Sequence, residues 1–271
     1  MSLRIQNNIE AFNAHRQLTA TSMKLSKSME KLSSGYRINR AADDSAGLAI
    51  SEKLRAQIGG LGQAQRNAQD AVSLVQTAEG SMAEVHSMLQ RVRDLAVQFN
   101  NGTLSTSDKA SITAEVAQLC NEISTIGANT KFNGIALLTG ASSITFQVGA
   151  EDAQTLSVSG VQLFGTGGSQ KVDSAIFTFS GTVTLASIDT AIQNVSDARG
   201  TFGSVQNRLE HTLNNLAQYE ENLTSSESRI RDVDMASEMV NFTKLNILQQ
   251  AGTSMLAQAN QSSQGVLSLL R

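Results

Sequence analysis

One periodicity constrains this chain more than anything else in it. From Leu61, alternating steps of three and four residues land on Ala64, Ala68, Ala71, Val75, Ala78, Met82, Val85, Leu89, Val92, Ala96 and Phe99. Every position is apolar, so one face of a continuous helix is set aside for partner helices. Such a helix is roughly 58 Å long. The early part of the seam is mostly Ala, which lets a neighbouring backbone approach closely. A second ladder follows at Ile112, Val116, Leu119, Ile123 and Ile126, behind a capping pair, Ser105 and Asp108. Asn101-Gly102 supplies the turn between the two. A third ladder, Ile188, Val195, Phe202, Leu209, Leu216, Leu223 and Ile230, repeats every seven residues, with Ile192 and Leu213 filling in between. Ser187 and Asp189 read as its N-cap and first-turn carboxylate. The chain has no Pro, so nothing forces a kink into these helices. Three seams of similar character need one another. The expected fold is mainly α: an elongated, antiparallel, coiled-coil-like bundle.

The chain ends are patterned differently. Ile5, Ile9 and Phe12 begin an apolar stripe that continues through Leu18, Leu25, Met29 and Leu32. Met235, Met239, Phe242, Leu245 and Leu248 begin another, which passes Leu256 and reaches Val266, Leu267, Leu269 and Leu270. Both are amphipathic helix candidates backed by Gln, Asn and Ser. Each is too thin to sustain a core alone. A buried apolar side chain contributes about 1.5–3 kcal/mol, whereas ordering the roughly 70 terminal residues costs on the order of 1–2 kcal/mol each in backbone entropy. Contacts with other subunits must supply the difference. The domain organisation expected is a terminal helix over 1–35, a bundle part over 36–186, its C-terminal helix over 187–233, and a second terminal helix over 234–271. Within 36–186 the pattern places helices at about 45–99 and 105–128. A Gly-, Ser- and Thr-rich section with β-type alternation follows at about 130–186, as in "ITFQVGA", "TLSVSGVQL" and "AIFTFSGTVTL". Asn133-Gly134 is its hairpin-turn signal.

Residues that would carry chemistry do not converge. His15, His86 and His211 lack ligand spacing. Cys120, beside the seam residue Leu119, reads as a small semi-buried side chain with no nucleophile's partner. Ser28 to Lys31 spells Ser-x-x-Lys, but the other elements of that catalytic class are absent. "GTGGS" lacks the Gly-Lys-Ser/Thr ending of a phosphate loop. The net charge of −3 offers no basic field for nucleic acid. No run of about 18 apolar residues predicts a membrane span, and "MSLRIQNNIE" lacks the apolar stretch of a cleavable signal. The five Asn-x-Ser/Thr triplets, several on expected helices, read as chance. The one dense charged cluster is "YRINRAADDSAG", residues 36–47. Its Arg37, Arg40, Asp43 and Asp44 would suit acid–base work, but Gly35 before it and small residues after it favour a helix-connecting joint held by internal ion pairs. The expectation is no enzyme, no cofactor and no metal.

Several strings carry a family resemblance. "KLSSGYRINRAADDSAGLAISEKLRAQIGGL" (31–61), "NAQDAVSLVQTAEG" (67–80), "LQRVRDLAVQ" (89–98) and "FNGIALL" (132–138) resemble bacterial flagellin, as do "VQNRLEHTLNNL" (205–216), "ENLTSSESRIRDVDMASEMVNFTK" (221–244) and the closing "VLSLLR". The resemblance covers roughly 1–140 and 190–271, with a short, divergent middle. It implies a subunit that polymerises into the extracellular flagellar filament, exported unfolded through the flagellar type III apparatus. It implies that the terminal segments pair as helices in the filament core, which assigns packing there to Ile5, Ile9, Phe12, Leu256, Val266, Leu267, Leu269 and Leu270.

The resemblance also implies partners: other copies of the chain, an export chaperone on the C-terminal segment, and filament cap and hook-junction proteins. A Toll-like innate immune receptor reads the family at positions matching Arg91, Leu95 and Glu115, all kept here, with Asp94 where the family often has Glu. Two departures stand out. "QSSQG" replaces a stretch that often holds Pro, and Cys120 occupies a place where an apolar residue such as Leu is expected. The readings weighed against a filament subunit are a hook–filament junction protein and a coiled-coil adaptor. The adaptor leaves the apolar chain ends unexplained.

Overall fold

The computed structural model describes residues 8–139, 143–159 and 185–269, with side chains up to residue 261. The expected β runs in "AIFTFSGTVTL" and the "GTGGS" stretch lie outside the described residues. Five helices account for most of them: α1 (Ile9–Ser34), α2 (Ser45–Phe99), α3 (Thr106–Asn129), α4 (Leu185–Arg231) and α5 (Met235–Leu269). Two small antiparallel hairpins are the strands among the described residues. One pairs β1 (Lys131–Phe132) with β2 (Ile135–Ala136), the other β3 (Ser143–Gln147) with β4 (Thr155–Ser159). The chain divides into two compact units, 57–221 and 1–56 together with 222–271.

The unit 57–221 holds the main core. Leu61, Ala64, Ala68, Ala71, Val75, Ala78, Met82, Val85, Leu89, Val92 and Ala96 are all buried, so the seam of α2 is the spine of that core. Ile112, Val116, Cys120 and Ile123 of α3 pack into it, with Ile188, Val195, Phe202 and Leu209 of α4 and Leu156 and Val158 of β4. Side-chain links give the direction of the pairing. Arg93 meets Asp189 at 2.6 Å, Arg199 meets Glu79 at 3.6 Å, and Gln65 Nε2 donates to Glu220 at 2.7 Å. As numbers rise along α2 they fall along α4, so the two helices are antiparallel. Ser105 and Asp108 form a reciprocal capping box at the start of α3. Asn133 (φ 49°) and Gly134 (φ 81°) make the left-handed turn between β1 and β2. Ser187 is not the N-cap of α4: the helix already includes Leu185. Asp189 serves instead as the partner of Arg93.

In the other unit, α1 and α5 run antiparallel. Asn8 Nδ2 donates to the Ala259 carbonyl at 2.9 Å, and Ser28 Oγ donates to Glu238 at 2.5 Å. Leu18 closes on Gly252, where a Cβ would stand 3.1 Å from its Cδ1. Asn8 caps α1 by accepting from the Ala11 N–H, and Gly35 ends it in the left-handed conformation (φ 75°). α5 continues through Gly265.

Candidate functional site

The α1–α5 pair is built like half of an interface. Within α1 the only fully buried residue is Ser28. Large apolar side chains lie open instead: Ile9 is 57% exposed, Phe12 71% and Val240 71%, and Met23, Met29, Met235, Met239, Ile247, Leu248 and Met255 are exposed as well. Two paired helices can each shield only one stripe, whereas these helices are apolar over more than that stripe. So many large apolar side chains left open along one helix pair point to an interaction surface. Of the residues expected to pack in a core, Ile9 and Phe12 are on this open surface and Leu256 is half-buried. Val266, Leu267 and Leu269 lie on the α5 backbone, beyond the described side chains; Ile5 and Leu270 lie outside the described residues.

A clasp closes the same unit. The linker between α1 and α2 pairs with the linker between α4 and α5. Arg37 N–H donates to the Arg231 carbonyl at 2.7 Å, Val233 N–H donates to the Gly35 carbonyl at 3.0 Å, and Tyr36 bridges to Asp232. Arg37 Nη2 adds a bond to the Ile230 carbonyl at 2.6 Å. The expected ion pairs within the 36–47 cluster do not form. Arg40 reaches back to Glu30 at 2.9 Å and Asp43 to Lys27 at 2.5 Å, both on α1. Asp43 also accepts the backbone N–H groups of Arg40 and Asn39. Asp44 accepts the Gly47 N–H at 2.9 Å as the cap of α2. Asp43 divides its oxygens between Lys27 and the backbone N–H groups of Asn39 and Arg40, and Asp44 caps α2, which leaves Arg37 and Arg40 to partners outside the cluster.

These contacts set the charges. The Lys27 ammonium, then the Arg40 N–H, hold the Asp43 carboxyl down at about 2. The Arg231 guanidinium, then the charge of Arg55, hold Glu52 below its ordinary value. Residue-type reasoning missed the centre of the clasp. Arg231 stacks on the Tyr36 ring (4.8 Å to the centroid) and meets Glu52 at 2.7 Å. The available signal was an Arg at the break between two apolar ladders, with an aromatic residue beside Gly35 at the corresponding break.

Arg91, Leu95 and Glu115 do not form one accessible patch. Arg91 and Glu115 make an exposed ion pair at 2.7 Å between α2 and α3. Leu95 is 2% exposed, turned into the core with Val92 and Ala96. Its place beside the seam decides this; an i, i+4 relation to Arg91 does not put it on the surface.

Chemistry-bearing side chains stay apart. Among the described residues no group of His, Cys, Asp and Glu is arranged to hold a metal ion, and no helix is long and apolar enough to cross a membrane. Cys120 is buried, and burial pushes its thiol up to about 11.

Known proteins share these features. The family profile of the bacterial flagellin N-terminal helical region matches residues 5–143, and that of the C-terminal helical region matches 185–270. The chain is 49% identical over 270 residues to a flagellin of Halalkalibacterium halodurans, covering 98% of this chain and 99% of that one. It is 46% identical over 307 residues to a flagellin of Bacillus subtilis, covering 99% and 100%. A solved structure from Vibrio parahaemolyticus, assigned as a flagellar hook-associated protein, is similar in fold alone: TM-score 0.60, 16% identity, 70% of this chain and 100% of that one.

Proposed function

This chain belongs to the bacterial flagellin family, and from that premise we infer that it is a structural subunit of the flagellar filament, acting by polymerisation and not by catalysis. The filament is extracellular. The observation that carries the mechanism is the open apolar surface of the α1–α5 pair, where Phe12 and Val240 are each 71% exposed. Burying that surface against other copies recovers what the pair alone leaves in water. A repeated contact that does not close on itself generates an open helical polymer.

Finer assignments follow from the same surface. The terminal segments, about 1–35 and 234–271, act as the polymerising segments, and the bundle between them in sequence as their scaffold. Ile9, Phe12 and Leu256 pack against neighbouring subunits, and the same role extends to Ile5, Val266, Leu267, Leu269 and Leu270. Arg37, Arg40, Asp43 and Asp44 brace the clasp. An export chaperone holds residues 235–271 before assembly, a role suited to a Met-rich amphipathic segment, and the chain travels unfolded through a type III apparatus. Cap and hook-junction proteins meet the polymer at its ends. Arg91 and Glu115 offer a charged, exposed pair to an innate immune receptor of the Toll-like class.

The decisive experiment is polymerisation in ammonium sulfate, which strengthens apolar burial, followed by light scattering and negative-stain microscopy. The full chain is expected to form filaments, and a chain lacking 1–33 and 235–271 to stay a soluble helical monomer. If both remain monomeric with filament seeds present, the reading fails and a junction or adaptor role takes its place.

A further inference from the structure

The open surface of the α1–α5 pair has an unusual chemistry. Its exposed large side chains include five methionines: Met23, Met29, Met235, Met239 and Met255. The two methionines of α2, Met82 and Met88, are buried or partly buried in the core. The antiparallel register set by Ser28 against Glu238 brings Met29 level with the turn that holds Met235 and Met239. The register set by Asn8 against Ala259 brings Met255 level with Phe12. Thioethers therefore accompany the open apolar surface along both helices.

We propose that these five methionines form an oxidant-modifiable site, in which sulfoxide formation on the unassembled subunit blocks polymerisation. The co-reactant is a two-electron oxidant of the peroxide class. One peroxide oxygen is transferred to the thioether sulfur, giving the sulfoxide and water; the sulfur is oxidised by two electrons and the peroxide reduced by two. The product replaces an apolar, flexible side chain by a polar one carrying a strong acceptor oxygen. Such a group resists burial in an apolar contact, so the polymer interface is where the change is felt. In the folded core Met82 is inaccessible and Met88 is partly covered, so both react more slowly than the open five. Cys120 does not compete for the oxidant: its thiol is buried and stays protonated at neutral pH. Once subunits have joined, the same contacts that use the methionines exclude the oxidant from them.

This inference rests on the polymerisation reading, and its test separates the two. Dilute full chain is treated with hydrogen peroxide, the modified methionines are mapped by peptide mass spectrometry, and polymerisation is followed by light scattering beside untreated protein. Expected is preferential oxidation of the five, unchanged far-UV circular dichroism of the bundle, and polymer yield lowered by roughly tenfold or more. Methionine sulfoxide reductases with a dithiol are expected to restore it. In a variant carrying M23L, M29L, M235L, M239L and M255L, the polymer yield reached without peroxide, whatever its level, is expected to be unchanged by peroxide. Undiminished assembly of fully oxidised protein overturns the proposal, as does a loss that the reductases do not reverse. If the five-fold variant does not assemble, the reductase arm on the natural chain decides alone. Failure of the untreated chain to polymerise with seeds instead overturns the polymerisation reading.

Discussion

Arg231 lies over the ring of Tyr36, 4.8 Å from its centroid, while its guanidinium holds Glu52 at 2.7 Å. The α1–α2 linker, the start of α2 and the end of α4 thus meet at one side chain that is 13% exposed. Arg231→Ala removes the stack and the charge partner together and is expected to loosen the clasp. Limited proteolysis should then cut faster at residues 35–45 and 231–236. Arg231→Lys restores the charge but not the planar stack, so it should recover only part of the loss. Unchanged proteolysis in both variants would show that the backbone pairing holds the clasp alone.

Acid should loosen the clasp within a narrow range. The carboxyl of Asp43 is held at about 2 against an ordinary 3.8. A depressed carboxylate stabilises the fold fully above the ordinary value and loses that contribution as pH falls through the depressed one. Protection of the amides around residues 27–43, taken relative to the intrinsic exchange rate at each pH and followed from about pH 5 down to about pH 2, should fall in the lower part of that range. In Asp43→Asn the pH-dependent step should be missing, with faster exchange already at the upper end. Exchange that responds equally to acid in both proteins would contradict the assignment.

The contact of Leu18 with Gly252 leaves little room. A Cβ at 252 would stand 3.1 Å from Leu18 Cδ1, a distance that a leucine methyl relieves by a small shift. Gly252→Ala should be close to neutral, because the gain in helix propensity of about 1 kcal/mol offsets the shift. Gly252→Val adds branched bulk and should separate the helices there. Polymerisation rate reads the difference, with Ala near the natural chain and Val well below it.

The α1–α5 pair should exchange its amides quickly in dilute solution and slowly in the polymer, because few of its side chains are buried before assembly. Residues of α2 between 68 and 96, lining the core, should be protected in both states. Strong protection of α1 in dilute protein would remove the argument that assembly supplies its missing burial.

Phe202→Ala tests the core itself. The side chain is 2% exposed among α2 and α4 residues, and the cavity should cost about 3–5 kcal/mol. Thermal unfolding of the bundle should shift down accordingly, with the helices of the other unit little changed in their exchange.

The parts of this fold that repeat were legible in the sequence. The α2 ladder from Leu61 to Ala96 is buried residue by residue, and the α4 ladder is buried from Ile188 to Leu216, because a heptad states both the helix and its inner face. Caps were readable where the side chain serves its own turn, as with Ser105 and Asp108. Contacts between distant segments were not. Nothing local pairs Asp43 with Lys27, Arg40 with Glu30, or Arg231 with Tyr36. Ser187 misled because a good capping residue also sits comfortably inside a long helix. Leu95, matched through the resemblance together with Arg91 and Glu115, is a core residue of this subunit, because a match of strings gives a position along the chain and not its exposure. The filament role came from the family strings; periodicity alone reached no further than apolar ends in need of partners.

The pairing of Asn8 with Ala259 spans 251 positions of sequence. Closing so long a loop in a disordered chain is entropically costly and slow. The bundle changes that. Once Gln65 and Glu220 are joined, most of the intervening chain is already gathered, and the remaining closure is between two short arms. On these terms the α1–α5 pair should close after the bundle rather than before it. The exposed apolar side chains of the pair would then come together only once the rest of the subunit is in order.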